Sequence, residues 1–205
     1  MAPTRFSAED VEVISKERKF QGYFAIDAYR LRHRTFAGGW THEFTREIFE
    51  RGHAVVVILY DPERDETALI EQFRSGALAA GMYPWLLECV AGIIEPGETP
   101  DQVAIREAKE EAGTEVSDMV HIGRYIITPG GSSETCELFC ARIDSSKIAG
   151  LHGLAHEGED IRVFTVPVAE AYQMVKDGRI NNSMAVIATQ WLMLERETLK
   201  KRWGI

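Results

Sequence analysis

The segment from Gly92 to Thr114, GIIEPGETPDQVAIREAKEEAGT, constrains this chain most, because it writes a loop, a helix start and a helix stop in one stretch. Thr99 is a capping residue, Pro100 suits the first helical position, and Asp101 favours the positive end of the helix dipole. Gln102 completes a Thr-x-x-Gln capping box, and Gly113 stops the helix. Ile105, Ala108 and Ala112 fall on one face and can pack against a sheet. Glu107 and Glu111 are spaced i and i+4 with Glu110 between them, so three carboxylates crowd another face, which is expected to be exposed.

Strand signals flank this helix. The run HAVVVILY from His53 to Tyr60 is apolar and β-branched, Asp61-Pro62 breaks it, and Ala68 to Phe73 resumes, which reads as strand, turn and strand. A further strand is expected over Trp85 to Gly92. His121 to Thr128 and Cys136 to Ile143, joined by Pro129 to Glu134, read as a hairpin with a wide loop. Ile161 to Val166 is another strand, Pro167 opens a helix that ends at Gly178, and a last helix runs from about Asn182 to Trp203. This irregular mixture favours an α+β layered sandwich over a doubly wound parallel sheet. Residues 11 to 31 alternate loosely and suggest one or two strands. Residues 1–48 are therefore expected to form a small β-rich subdomain, and residues 49–205 the main domain.

A length of 205 residues suits one medium domain with a small extension. The formal net charge of −9 disfavours a nucleic-acid partner, which needs clustered Lys and Arg to neutralise phosphates. No stretch approaches the roughly 20 apolar residues of a membrane span, and the first residues lack the apolar core of a secretory signal. A cytoplasmic location without membrane contact is the expectation. Cys89, Cys136 and Cys140 form an odd set with no CxxC pair, which fits reduced thiols.

Crowded carboxylates repel one another, and a divalent cation offsets that cost; oxygen ligands at this density suit Mg²⁺, with Mn²⁺ as a substitute. The plainer alternative is a solvated helix face screened by Lys109 and Arg106. Gly92, Glu98, Arg106, Glu107, Glu110, Glu111 and Gly113 all fit the pattern G-x5-E-x7-R-E-U-x-E-E-x-G-U, where U is a bulky aliphatic residue, seven fixed positions that rarely coincide by chance. That string resembles the Nudix box of hydrolases acting on nucleoside diphosphates linked to another moiety. Ala108 and Thr114 depart from it at the two aliphatic positions, which concern packing. Ala37 to Tyr60, Gln72 to Arg74, Trp85 to Gly92, Pro129 to Glu134 and Gly150 to Val163 extend the likeness to the ADP-ribose pyrophosphatase branch of bacterial Nudix enzymes.

The resemblance implies a Nudix-type α/β/α sandwich and a Mg²⁺-dependent hydrolase that splits ADP-ribose into AMP and ribose 5-phosphate. Another sugar nucleotide such as GDP-mannose is the alternative substrate, and a non-catalytic ADP-ribose sensor the alternative class. By the same resemblance Glu107 and Glu111 are the main metal ligands, assisted by Glu110, the Ala91 carbonyl and Glu159. Arg106 would orient a carboxylate, Glu98 would brace the loop, and Glu157 would be the catalytic base. Arg74, Arg46 and Arg51 are candidates by position to hold the diphosphate, and Glu134 to accept hydrogen bonds from a ribose. Trp40, Tyr83 and Trp85 could stack on adenine, with core or interface packing the default for Trp85. His152 and His156 read as loop histidines, because Gly153 argues against a zinc-binding helix. A homodimer is expected, its N-terminal subdomain contributing to the partner's active site, since a small β extension exposes strand edges that pairing would cover.

Overall fold

In the computed structural model, residues 5–154 and 158–205 are described. They form two compact units, one within residues 5–52 and 126–135, the other within residues 53–125, 136–154 and 158–205.

The first unit is an antiparallel sheet in the order β1 (Val11–Gln21), β2 (Ala25–His33) and β3 (Phe44–Glu50). The loop of residues 126–135 joins it through a bridge between Phe49 and Ser132, where the Phe49 N–H donates to the Gly131 carbonyl at 2.8 Å. The sheet has a charged centre. Asp27 is only 1% exposed and accepts hydrogen bonds from Arg18, while Lys16 Nζ lies 2.9 Å from its Oδ2. The Arg18 and then the Lys16 hydrogen bonds hold this carboxyl down at about 2. A lowered carboxyl pKa stabilises the fold above the unfolded value of 3.8 and loses that contribution as pH falls towards 2. Thermal melts between pH 5 and 2 should therefore be steeper for the wild type than for Asp27→Asn. Equal slopes would remove Asp27 from the acid sensitivity.

The second unit is built on an eight-stranded mixed sheet. Its strands are β4 (Ala54–Asp61), β5 (Glu66–Phe73), β6 (Trp85–Glu88), β7 (Val90–Ile93), β8 (Asp118–Ile126), β9 (Thr135–Arg142), β10 (Gly150–His152) and β11 (Ile161–Pro167). The main path is β10-β11-β5-β4-β9-β8, with β6 paired to β5 and β7 to β4. The helices are α1 (Ser75–Ala79), α2 (Pro100–Ala112), α3 (Val168–Lys176) and α4 (Ser183–Arg202). Val55, Val57 and Leu59 alternate along β4 towards one face, where with Ala68 and Ile70 they pack against Val103, Ala104, Ala108 and Ala112 of α2. The opposite face carries Tyr60, whose ring lies 6.2 Å from that of Trp203, the residue capping α4. Helices on both faces of a mixed sheet make the α/β/α sandwich of the α+β class.

Expectations for the segment before the box and for the sheet-facing side of α2 fail. The strand expected over Trp85 to Gly92 is two strands, parted at Cys89, because its halves pair with different neighbours. Ile105 is 48% exposed and does not face the sheet; the buried stripe of α2 runs instead through Ala104, Glu107, Ala108 and Glu111, spaced i, i+3, i+4 and i+7.

Candidate active site

The capping box of α2 forms as written: Thr99 Oγ1 accepts from the Gln102 N–H, and the Thr99 N–H donates to Gln102 Oε1 at 2.9 Å. Gly113 ends the helix in the left-handed region at φ 62°. The helix is rotated so that Glu107 and Glu111 lie against β7. The exposed face expected for them is not observed: Glu111 is 4% exposed and Glu107 9%. The small side chains of Ala104 and Ala108 beside them let the helix lie close to the sheet.

Gly92 receives Glu107. A Cβ at this glycine would stand 1.8 Å from Glu107 Oε1, so the box glycine is required by the carboxylate lying on it. Glu111 Oε2 accepts the Ala91 N–H at 2.9 Å. Burial, opposed by that hydrogen bond and reinforced by the charges of Glu107 and Glu159, pushes the Glu111 carboxyl up to about 8. Burial also raises Glu107, against the pull of Arg106.

Arg106 organises the other carboxylates. Its Nη1 donates to Glu107 at 2.7 Å and to Glu110 at 3.1 Å, while Nε and Nη2 donate to Glu98 at 3.0 and 3.3 Å. Glu98 also accepts the Glu95 N–H at 3.0 Å, which braces the loop to the helix. Glu159 Oε2 accepts the Leu154 N–H at 3.3 Å. Glu157 lies outside the described residues.

Arg74 follows β5, and its Nε meets Glu88 Oε2 at 2.7 Å. Glu88 was not singled out from the sequence; its antiparallel register opposite Ile70 puts it on the α2 side of the sheet. The remaining substrate candidates belong to the first unit. There Arg51 pairs with Glu134 at 3.0 Å, and the guanidinium of Arg46 lies 4.6 Å from the Phe44 ring centroid. Trp40 is in that unit too, beneath Arg34 at 4.4 Å. Trp85 is 49% exposed rather than in the core, and together with Tyr83 it lines a cavity of about 430 Å³ with Glu71, Arg162 and Phe164, on the sheet face away from α2. His152 is in strand β10, not in a loop.

Among the described residues no three His, Cys, Asp or Glu side chains converge closely enough to hold a metal as they stand, since Arg106 draws Glu107 and Glu110 to itself. The donor chemistry nevertheless fits a hard divalent cation. Glu111, almost wholly withdrawn from water, is hydrogen-bonded by a single backbone amide, and a buried carboxylate so poorly compensated is stabilised by a nearby positive charge.

Residues 50–186 match the NUDIX domain family along its signature segment and beyond it. The chain belongs to the NUDIX family. Within it, the ADP-ribose pyrophosphatase of Escherichia coli strain K12 is 48% identical over 202 residues, covering 98% of this chain and 97% of that one. The ADP-ribose pyrophosphatase of Haemophilus influenzae is 41% identical over 97% of this chain and 93% of its own. A GDP-mannose pyrophosphatase of Klebsiella pneumoniae is more distant, 32% identical over 89% of this chain and 91% of its own. A crystal structure described as an ADP compounds hydrolase shares the fold at a TM-score of 0.70, with 21% identity over 98% of this chain and all of that one. Among the described residues of this NUDIX chain, no helix is long and apolar enough to cross a membrane.

Proposed function

We propose that this chain hydrolyses the diphosphate of ADP-ribose, releasing AMP and ribose 5-phosphate, with Mg²⁺ as cofactor and Mn²⁺ as a substitute. The reading is carried by the buried carboxylates Glu107 and Glu111 in a NUDIX chain 48% identical to a protein named ADP-ribose pyrophosphatase. When bound, the cation supplies charge neutralisation of the diphosphate and a more acidic water. Glu107 and Glu111 hold it, assisted by Glu110, Glu159 and the Ala91 carbonyl. Arg106 keeps two of these carboxylates in place by charge-assisted hydrogen bonds. Arg74 offers positive charge to the diphosphate, and Arg46, Arg51 and Glu134 are the substrate-binding residues of the N-terminal unit. Glu157 removes the proton from the water that attacks phosphorus, and no phosphorylated enzyme forms.

The test is a panel of ADP-ribose, GDP-mannose and related compounds with Mg²⁺, reading AMP or GMP release. ADP-ribose should be cleaved best; a preference for GDP-mannose overturns the substrate, and binding without turnover points to the sensor. Glu157→Gln should lower kcat by about 100-fold with KM nearly unchanged, because a general base acts mainly in the transition state. A silent Glu157→Gln beside a damaging Glu159→Gln would move the base to Glu159.

The same reading includes a homodimer, in which the N-terminal unit contributes to the partner's site, and a cytoplasmic location. β1 supports the dimer. This edge strand is exposed along nearly its whole length, with Val11 46%, Val13 54% and Phe20 59% exposed, a surface that strand pairing would cover. Light scattering at micromolar concentration should return twice the chain mass, and removal of residues 1–48 should cost both affinity and turnover. A monomer, or a fully active truncated chain, sinks the idea.

A further inference from the structure

His152 is the last residue of β10, a three-residue strand at the edge of the sheet, and its ring rests on the end of α2. A Cβ on Gly113 would meet His152 Cε1 at 2.5 Å and Nδ1 at 3.2 Å. The imidazole is therefore seated directly on the backbone of the residue that caps the carboxylate-bearing helix. The chain then turns at Gly153, φ 94°, where a Cβ would stand 3.0 Å from Glu159 Cβ and 3.1 Å from the Glu159 carbonyl oxygen. Leu154 completes the closure: its N–H donates to Glu159 Oε2, and its carbonyl accepts the Glu159 N–H, both at 3.3 Å. Gly113, His152, Gly153 and Glu159 thus form a continuous series of close contacts. The negative charge of Glu159 acts on both Glu107 and Glu111. Among the described residues neither nitrogen of His152 makes a hydrogen bond.

We propose that His152 is a positioning residue: its ring, seated on Gly113, fixes how far Glu159 stands from the carboxylates of α2. The proposal rests on the hydrolase reading above, in which Glu159 helps to hold the cation. It also gives Gly113 a second task beyond ending the helix, since a side chain there would push the ring away. A displacement of about 1 Å at a catalytic constellation costs up to about 100-fold in rate.

The test uses the full chain with ADP-ribose and saturating Mg²⁺. His152→Ala should lower kcat by about 10-fold to 100-fold with KM within about twofold and little change in melting temperature. His152→Phe keeps a flat ring and should restore most of the rate. Gly113→Ala should lower kcat in the wild type but add little to the loss already present in His152→Ala, the non-additivity expected of two groups in contact. Normal kcat in His152→Ala, failure of Phe to restore it, or fully additive losses would each overturn the proposal. Glu159→Gln is measured in parallel. If it is silent, the role given to Glu159 fails; if it is damaging while His152→Ala is normal, only the positioning role fails.

Discussion

Glu111→Gln should lower turnover on ADP-ribose by two to three orders of magnitude, about 3–4 kcal/mol of transition-state stabilisation, while the chain folds normally. The two effects separate because of where Glu111 sits. Its carboxylate is 4% exposed, and burial penalises its charge, so a neutral amide of the same shape is tolerated there. Gln also keeps an oxygen that can accept the Ala91 N–H. The metal-free variant should melt within a few degrees of the wild type, or above it, while the stabilisation that the wild type gains from added Mg²⁺ should be lost. Turnover near the wild-type value at saturating Mg²⁺ would take Glu111 out of the metal site.

Gly92→Ala should be nearly as damaging, through one added methyl group. Its Cβ would fall 1.8 Å from Glu107 Oε1 and 2.4 Å from Cγ, so the whole outer part of the side chain must swing away, breaking the 2.7 Å contact with Arg106. A loss of about 100-fold in kcat is expected, with a stability cost of about 1–3 kcal/mol from overpacking. The double variant Gly92→Ala with Glu107→Ala gives the sharper reading. It should turn over no more slowly than Glu107→Ala alone, because the displaced group is already gone. If Gly92→Ala stays within twofold of the wild type, Glu107 does not depend on this contact.

Every expectation about the boundaries of α2 rests on interactions between residues three or four apart. Thr99 and Gln102 satisfy each other's backbone amides, and Gly113 reaches the left-handed region without a Cβ clash, whatever surrounds the helix. The same locality makes the β-branched run of β4 and the acidic pattern legible. Rotation of the helix about its axis is not local. Ile105 looks as suited to the sheet as Ala108, but packing against the sheet, with the close approach allowed by Ala104 and Ala108, turns Glu107 and Glu111 inwards instead. Nothing between Trp85 and Gly92 marks a break at Cys89, because the break arises from two different pairing partners, β5 and β4.

The family, the acidic pattern of the box and the ends of its helix are legible in the residues alone, since these depend on residue identity and short spacing. The tertiary structure adds that Glu107 and Glu111 are buried, that Gly92 has no room for a Cβ because Glu107 lies on it, and that His152 rests on Gly113. It also decided that residues 126–135 join the N-terminal strands, far from them in the chain. Each of these depends on contacts between segments distant in sequence, whose energies come from packing and desolvation rather than from local propensity.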